Sequence, residues 1–285
     1  SLDALNFFLA DVRDGLGPYL AIYLLIVQKW DEASIGAVIS VAGVVAIVAQ
    51  TPMGALIDRT PYKRHLMIAG ALAVTAASLA LPLTSSFGFV LATQILSGIA
   101  LSVFAPAVAA LTLGIVGPQA FARRVGRNEA FNHAGNAFAA GLAGIGGYFL
   151  GPIVVFWLMA AMACASIAAT MTLRESDIDH EAARGLIGIE RGNLVAHRQP
   201  SGMGVVLGSR PLLIFSISVV LFHFSNAAML PMVGQKLALV TPNLSTTLMS
   251  ICIVLAQVVM IPTAWAAGIY ADRIGRKPIF ALALG

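Results

Sequence analysis

Apolar residues gather in long blocks separated by short polar stretches. The blocks are Leu2–Val27, Ser34–Ile57, Leu66–Leu83, Phe87–Val116, Ala130–Leu150, Pro152–Leu173, Pro211–Val233 and Ser245–Ala267, and a further one opens at Ile279. A helix needs about 20 apolar residues to cross a hydrocarbon layer of ~30 Å, and each block meets that length. Backbone groups find no hydrogen-bond partners in lipid, so a spanning segment is a helix or part of a closed barrel. The blocks are about twice as long as barrel strands and do not alternate with period two, which predicts helices. The pattern is that of an all-α membrane protein with eight transmembrane helices and the start of a ninth. Arg174–Ser209 is the one long polar stretch and divides the chain into 1–173, a linker at 174–209, and 210–285.

Composition agrees with the pattern. Of 285 residues, 59% are hydrophobic and 11% charged, and the mean hydropathy is +0.88. Soluble domains carry roughly 25% charged residues, so a water-facing globule is excluded. The net charge of +4 and pI near 9.3 would fit a nucleic-acid partner, but the placement of the charges explains them differently. With the N-terminus in the cytoplasm, fourteen of the seventeen Lys and Arg residues fall on the cytoplasmic side. Lys29 and Lys236 lie opposite, and Arg13 lies within the first block. This is the positive-inside distribution of a membrane protein, and no nucleic acid is expected. Trp30 and Trp265 stand near block ends, where interfacial aromatics concentrate. Cys164 and Cys252 are both inside apolar blocks and form no disulfide or zinc pattern; no metal or cofactor is expected.

The chain repeats itself. Gly54-Ala-Leu-Ile-Asp58-Arg59-Thr-Pro-Tyr-Lys63-Arg64 recurs as Gly268-Ile-Tyr-Ala-Asp272-Arg273-Ile-Gly275-Arg276-Lys277, an offset of 214. Pro18 and Pro231 stand 213 apart, nearly the same register. Both copies join an even helix to the next odd one. The plan is six helices, a linker and a second set of six that is begun.

These features resemble the major facilitator superfamily of secondary transporters, whose loop motif is G-x-L-x-D-R-x-G-R-K between helices 2 and 3. The second copy matches through Gly268, Asp272, Arg273, Gly275, Arg276 and Lys277. The first keeps Gly54, Leu56, Asp58, Arg59 and Lys63 but has Pro61 and Tyr62 where the motif has glycine and a basic residue. The resemblance implies a helical bundle with twelve helices in an intact member, so helices 9–12 lie beyond this sequence, and a start at Ser1 reads as a fragment. It also implies that Asp58 engages the second half and holds the cytoplasmic side shut. In the motif, the basic residues pair with the Asp and with lipid phosphates.

Ionisable residues inside a membrane cost roughly 2.5–3.5 kcal/mol each on insertion scales and are functional candidates for that reason. The first block carries Asp11, Arg13 and Asp14. Asp11, Asp14 and Pro18 share one helical face, and Arg13 points roughly opposite to Asp11. Gly15, Gly17 and Pro18 weaken the helix just beyond these charges. The fifth block opens with Glu129, Asn132, His133 and Asn136 in one stripe. Arg13 or Asp14 is expected to pair with Glu129 or His133, as a static ion pair or as a gate or proton relay. Glycines 135, 141, 144 and 147 are expected to let this helix pack closely on a neighbour. The resemblance places helices 1, 4 and 7 along a central cavity, which makes Gln94, His223 and Asn226 candidates for contact with the solute. Gln94 stands where many proton-coupled drug exporters of the family have Arg in R-x-x-x-G, and Gly144-Ile-Gly146-Gly147 lacks the proline of their fifth-helix motif. Both departures count against drug/proton antiport.

No Walker A, H-E-x-x-H or G-x-S-x-G sequence occurs, so neither an ATP-driven pump nor a membrane enzyme is expected. The leading expectation is a secondary transporter that moves a small solute by alternating access, with the proton as candidate coupling ion. Its expected place is the bacterial inner membrane. The competing expectation is a truncated, non-transporting membrane protein that acts as a partner or is inert. Substrate, direction and oligomeric state have no signal in the sequence.

Overall fold

The computed structural model describes the chain apart from Gly15, 191–192, 197–206, Ala227, 276–277, Phe280 and 282–285. Each of the eight apolar blocks is helical over most of its length. The first is described as α1 (Leu2–Asp14) and α2 (Leu16–Ile26), on either side of Gly15. Then come α3 (Glu32–Arg59), α4 (Lys63–Ala80), α5 (Phe87–Leu101), α6 (Phe104–Leu150) and α7 (Val154–Met171). The seventh block is split into α9 (Arg210–Asn226) and α10 (Met229–Val240), and α11 (Ser245–Ile274) ends the described bundle. Among the described residues six helical stretches are long and apolar enough to cross a membrane, the longest being Phe87–Leu150 at 64 residues.

That stretch holds two crossings. Gly117 interrupts α6 with φ 71° and ψ 170°, backbone angles essentially reserved for glycine. Pro118 follows, with φ preset for the first turn of the next helix. The break falls at the predicted end of the fourth block. The fifth helix, however, begins at once and not at Ala130. Residues 119–129 contain no further proline, and Arg124 and Arg127 reach Asp3 from a helical backbone, so the expected loop is an extension of the helix.

Asp31 caps α3: its carboxylate accepts from the Ser34 amide at 2.9 Å and the Ser34 hydroxyl at 2.6 Å. These bonds hold the Asp31 carboxyl below the usual carboxylate range. Trp30 stacks on Phe87 with ring centroids 5.5 Å apart, tying the α2–α3 turn to the start of α5.

The core falls into two apolar clusters. On one side Leu5, Leu9, Val12, Phe104, Leu111 and Met159 pack together with Ile57 and Met67. On the other Tyr19, Ile22, Tyr23, Ile35, Val90 and Phe156 meet Ala238 and Met249. The second apolar cluster therefore includes α10 and α11, so helices from beyond the linker pack on those before it. The Tyr19 hydroxyl lies 2.8 Å from Ser250 Oγ across that junction, both residues buried. Thr247 Oγ1 donates to the Gly144 carbonyl at 2.9 Å. A Cβ at Gly126 would stand 2.6 Å from Gly268 Cα, so α6 and α11 touch backbone to backbone there. Of the four glycines expected to serve close packing, Gly135 meets the Phe7 backbone of α1, and Gly144 and Gly147 meet Ser250 and Thr246. Gly141 faces open space.

The first part of the polar linker packs on the bundle. Ile178, Ala182 and Ala183 are buried, and the Asp179 amide donates to the Gly114 carbonyl at 2.9 Å. The Asp179 carboxylate caps the short helix α8 (His180–Ala183) through the amides of Glu181 and Ala182. Two short strands, β1 (Ile187–Glu190) and β2 (Asn193–Ala196), pair antiparallel after it. Apolar side chains at 178, 182 and 183 supply a face that the acidic composition hides.

Candidate functional site

The end of α1 places Arg13 and Asp14 at a cavity of about 520 Å³. Its walls come from the first helix (Val12, Leu16, Leu20), α3 (Ile39, Gly43, Ala46), α5 and single residues of α4 and α7 (Val74, Met159). From α5, Gln94 and Ser97 enter one turn apart, on one helical face. Both are more than nine-tenths buried. Gln94 Nε2 and Ser97 Oγ have no hydrogen-bond partner among the described residues. The cavity is thus mainly apolar, with two unengaged hydrogen-bonding groups on one wall and an ion pair at its edge, the usual make-up of a small-molecule pocket.

The charged edge is a network. Arg13 Nε donates to Asp14 Oδ2 at 3.2 Å, and Arg13 Nη2 lies 3.9 Å from Glu129 Oε2. Asn132 donates to Glu129 at 3.4 Å, and Asn136 reaches Asp14 at 3.5 Å. The stripe on α6 does not stay on one partner. His133 turns to α11, where Nδ1 lies 2.7 Å from Gln257 Oε1. Asp11 stands apart from the cavity lining; its residue is 7% exposed, and Oδ2 has no partner among the described residues.

Sequence reasoning missed a second network beside this one. Asp3 accepts from Arg124 Nη2 at 2.7 Å and from Arg127 Nη2 at 2.6 Å. Arg124 Nε donates to Asn128 Oδ1 at 2.9 Å, and Asn128 donates to Thr112 Oγ1 at 2.8 Å. Asp3 and Gln257 were both legible as polar residues inside apolar blocks. Asn128 precedes the predicted stripe by one residue and serves a different face.

His223 and Asn226 are not brought to Gln94. Both are exposed, and the described part of α9 buries nothing. His223 Nδ1 lies 3.0 Å from the Val219 carbonyl, and Asn226 donates to the Phe222 carbonyl at 2.8 Å. Each polar group is met within its own helix, so nothing draws it inward.

In the first loop motif, Lys63 is buried, and its Nζ donates to the Ile57 and Thr60 carbonyls at 2.7 and 2.8 Å. It closes the C-terminus of α3 rather than facing lipid. Arg64 pairs with Glu175 at 3.3 Å and donates to the Met171 carbonyl; Arg184 donates to the Arg59 carbonyl at 3.3 Å. The motif loop is thus tied to the linker. Gly54 has open space around it, and Asp58 is half-buried. In the second copy Gly268 sits at the helix crossing and Arg273 is exposed. The Asp272 side chain, Arg276 and Lys277 lie outside the described residues.

The sequence matches the Major Facilitator Superfamily profile over residues 2–285. Two proteins of Mycobacterium tuberculosis, one from strain CDC 1551 / Oshkosh and one from strain ATCC 25618 / H37Rv, are each 58% identical to it over 280 residues. Both bear the description uncharacterized MFS-type transporter. The alignment covers 98% of this chain and 66% of each relative, so the chain spans about two thirds of their length.

Proposed function

The chain belongs to the major facilitator superfamily, a family of transporters and not of enzymes, and from that premise we propose that it moves a small solute across the membrane by alternating access. In this reading residues 1–173 form one six-helix half, 174–209 link the halves on the cytoplasmic side, and 210–285 begin the second half. The N-terminus is cytoplasmic. Gln94 and Ser97 hydrogen-bond the solute, while Arg13, Asp14, Glu129, Asn132, His133 and Asn136 form the gate beside it. Asp58 serves as a latch on the motif loop.

We further propose proton coupling through Asp11. The observation that carries it is a carboxyl oxygen deep in the first helix with no partner among the described residues. An ionised carboxylate is expensive to keep at such a place. Exchange of its proton with one side and then the other would link solute movement to a proton gradient.

The test begins with a stability screen of neutral, cationic and zwitterionic solutes on the full-length protein at pH 6 and pH 8. A stabilising solute is then offered to proteoliposomes under an imposed proton gradient. The wild type should accumulate it. Asp11→Asn should still exchange solute between equal pools but lose accumulation, because an amide carries no exchangeable acid proton. Accumulation by Asp11→Asn at the wild-type level would overturn the coupling, and failure of every stabilising solute to cross would overturn the transport reading.

A further inference from the structure

A separate pocket of about 270 Å³ lies between α6 and α11. The contact of Gly126 with Gly268 builds it. Arg123 and Arg127 stand three residues before and one after Gly126, and Trp265 and Ile269 hold the same offsets from Gly268. All four side chains, with Arg124, line the pocket. Because two helices meet through glycines, a cationic wall is set directly against an aromatic and aliphatic one.

The charges do not cancel. Among the described side chains, three guanidinium groups face one carboxylate. Asp3 is shared by Arg124 and Arg127. Arg123 is exposed and has no hydrogen bond or ion pair among the described residues. An exposed guanidinium next to an interfacial tryptophan fits a phosphodiester, which takes two parallel hydrogen bonds from the planar fork. Below the pocket Val258 and Leu255 continue the exposed face of Trp265 along α11. Together Leu255, Val258 and Trp265 form an apolar stripe along α11 that leads to the pocket.

We propose that this pocket binds the headgroup of an anionic phospholipid, with the phosphate on Arg123 and Arg127 and the acyl chains along Trp265, Val258 and Leu255. The apolar wall of Trp265 and Ile269 set against the guanidinium groups favours a lipid over free phosphate. The helices come from either side of the linker, so a bound lipid would bridge the two segments. The proposal does not depend on the transport reading.

Native mass spectrometry of the detergent-solubilised protein tests it with three probes: dioctanoyl phosphatidylglycerol, dioctanoyl phosphatidylcholine and inorganic phosphate. Phosphatidylglycerol should be retained at least about tenfold more tightly than phosphatidylcholine. Arg123→Gln should weaken it about fivefold, the typical worth of one basic residue at an anionic surface. Arg123→Lys should lose less, and Arg174→Gln, which removes a cation elsewhere, should lose nothing. Equal retention of the two lipids by the wild type would overturn the proposal without any variant. So would equal loss in Arg123→Gln and Arg174→Gln. Displacement of phosphatidylglycerol by millimolar inorganic phosphate would make this a free-anion site and overturn the lipid assignment.

Discussion

Arg13 lies between two carboxylates, nearer to Asp14 than to Glu129. Both acids are more than a third exposed, so the pairs are solvent-screened and each contributes little. Replacing Glu129 by Gln leaves Arg13 with Asp14, whereas replacing Arg13 leaves two carboxylates without their cation. Unfolding in detergent should therefore find Arg13→Gln costlier than Glu129→Gln. The double variant should depart from the sum of the singles by about 0.5–1 kcal/mol; strictly additive losses would rule the contact out. The sequence narrowed this pairing to four combinations through helical spacing, but spacing cannot say which way a long side chain turns. His133 shows the limit. It shares the face of Glu129 by period, yet its ring is taken by Gln257 on a helix more than a hundred residues away.

At the scale of elements, two kinds of glycine behave differently. Gly117 holds backbone angles that a side chain disfavours, so Gly117→Ala should cost about 1–3 kcal/mol. Gly141 lies inside a helix with nothing nearby, and alanine there should be neutral or slightly stabilising. Thermal melts of the two variants separate these outcomes, and equal melting points would refute the role given to Gly117. Periodicity and apolar length located every helical block because lipid leaves the backbone no other way to satisfy its hydrogen bonds. They misplaced the start of the fifth helix because charged residues were read as loop. The arginines at 124 and 127 are received by Asp3 and Asn128 from within the helix. The docking of the linker is hidden for a related reason: its polar composition is visible in the sequence, whereas the three apolar side chains that dock it are few and scattered.

For the whole molecule, the repeated motif predicts that the two loops emerge on one side of the membrane. Cysteines placed singly at Arg59 and Arg273, in a background with Cys164 and Cys252 replaced by alanine, should react with a membrane-impermeant maleimide from the same face. Labelling from opposite faces would break the duplicated plan and the orientation with it. The two halves of the plan meet where α2 and α10 pack on each other, with Gly234 close to the Pro18 carbonyl. By itself the sequence determined that this is a helical membrane protein of a duplicated transporter family, because hydrocarbon imposes length and hydropathy on every crossing and the loop motif recurs in register. Only the tertiary structure decided which polar groups meet. It set Arg13 beside Asp14 and Glu129, turned Lys63 inward to close a helix end, left His223 and Asn226 away from the cavity, and ranged three arginines along a tryptophan. Those pairings depend on where helices distant in the chain cross, and the crossings are fixed by close backbone contacts such as Gly126 against Gly268, whose partners no local pattern names.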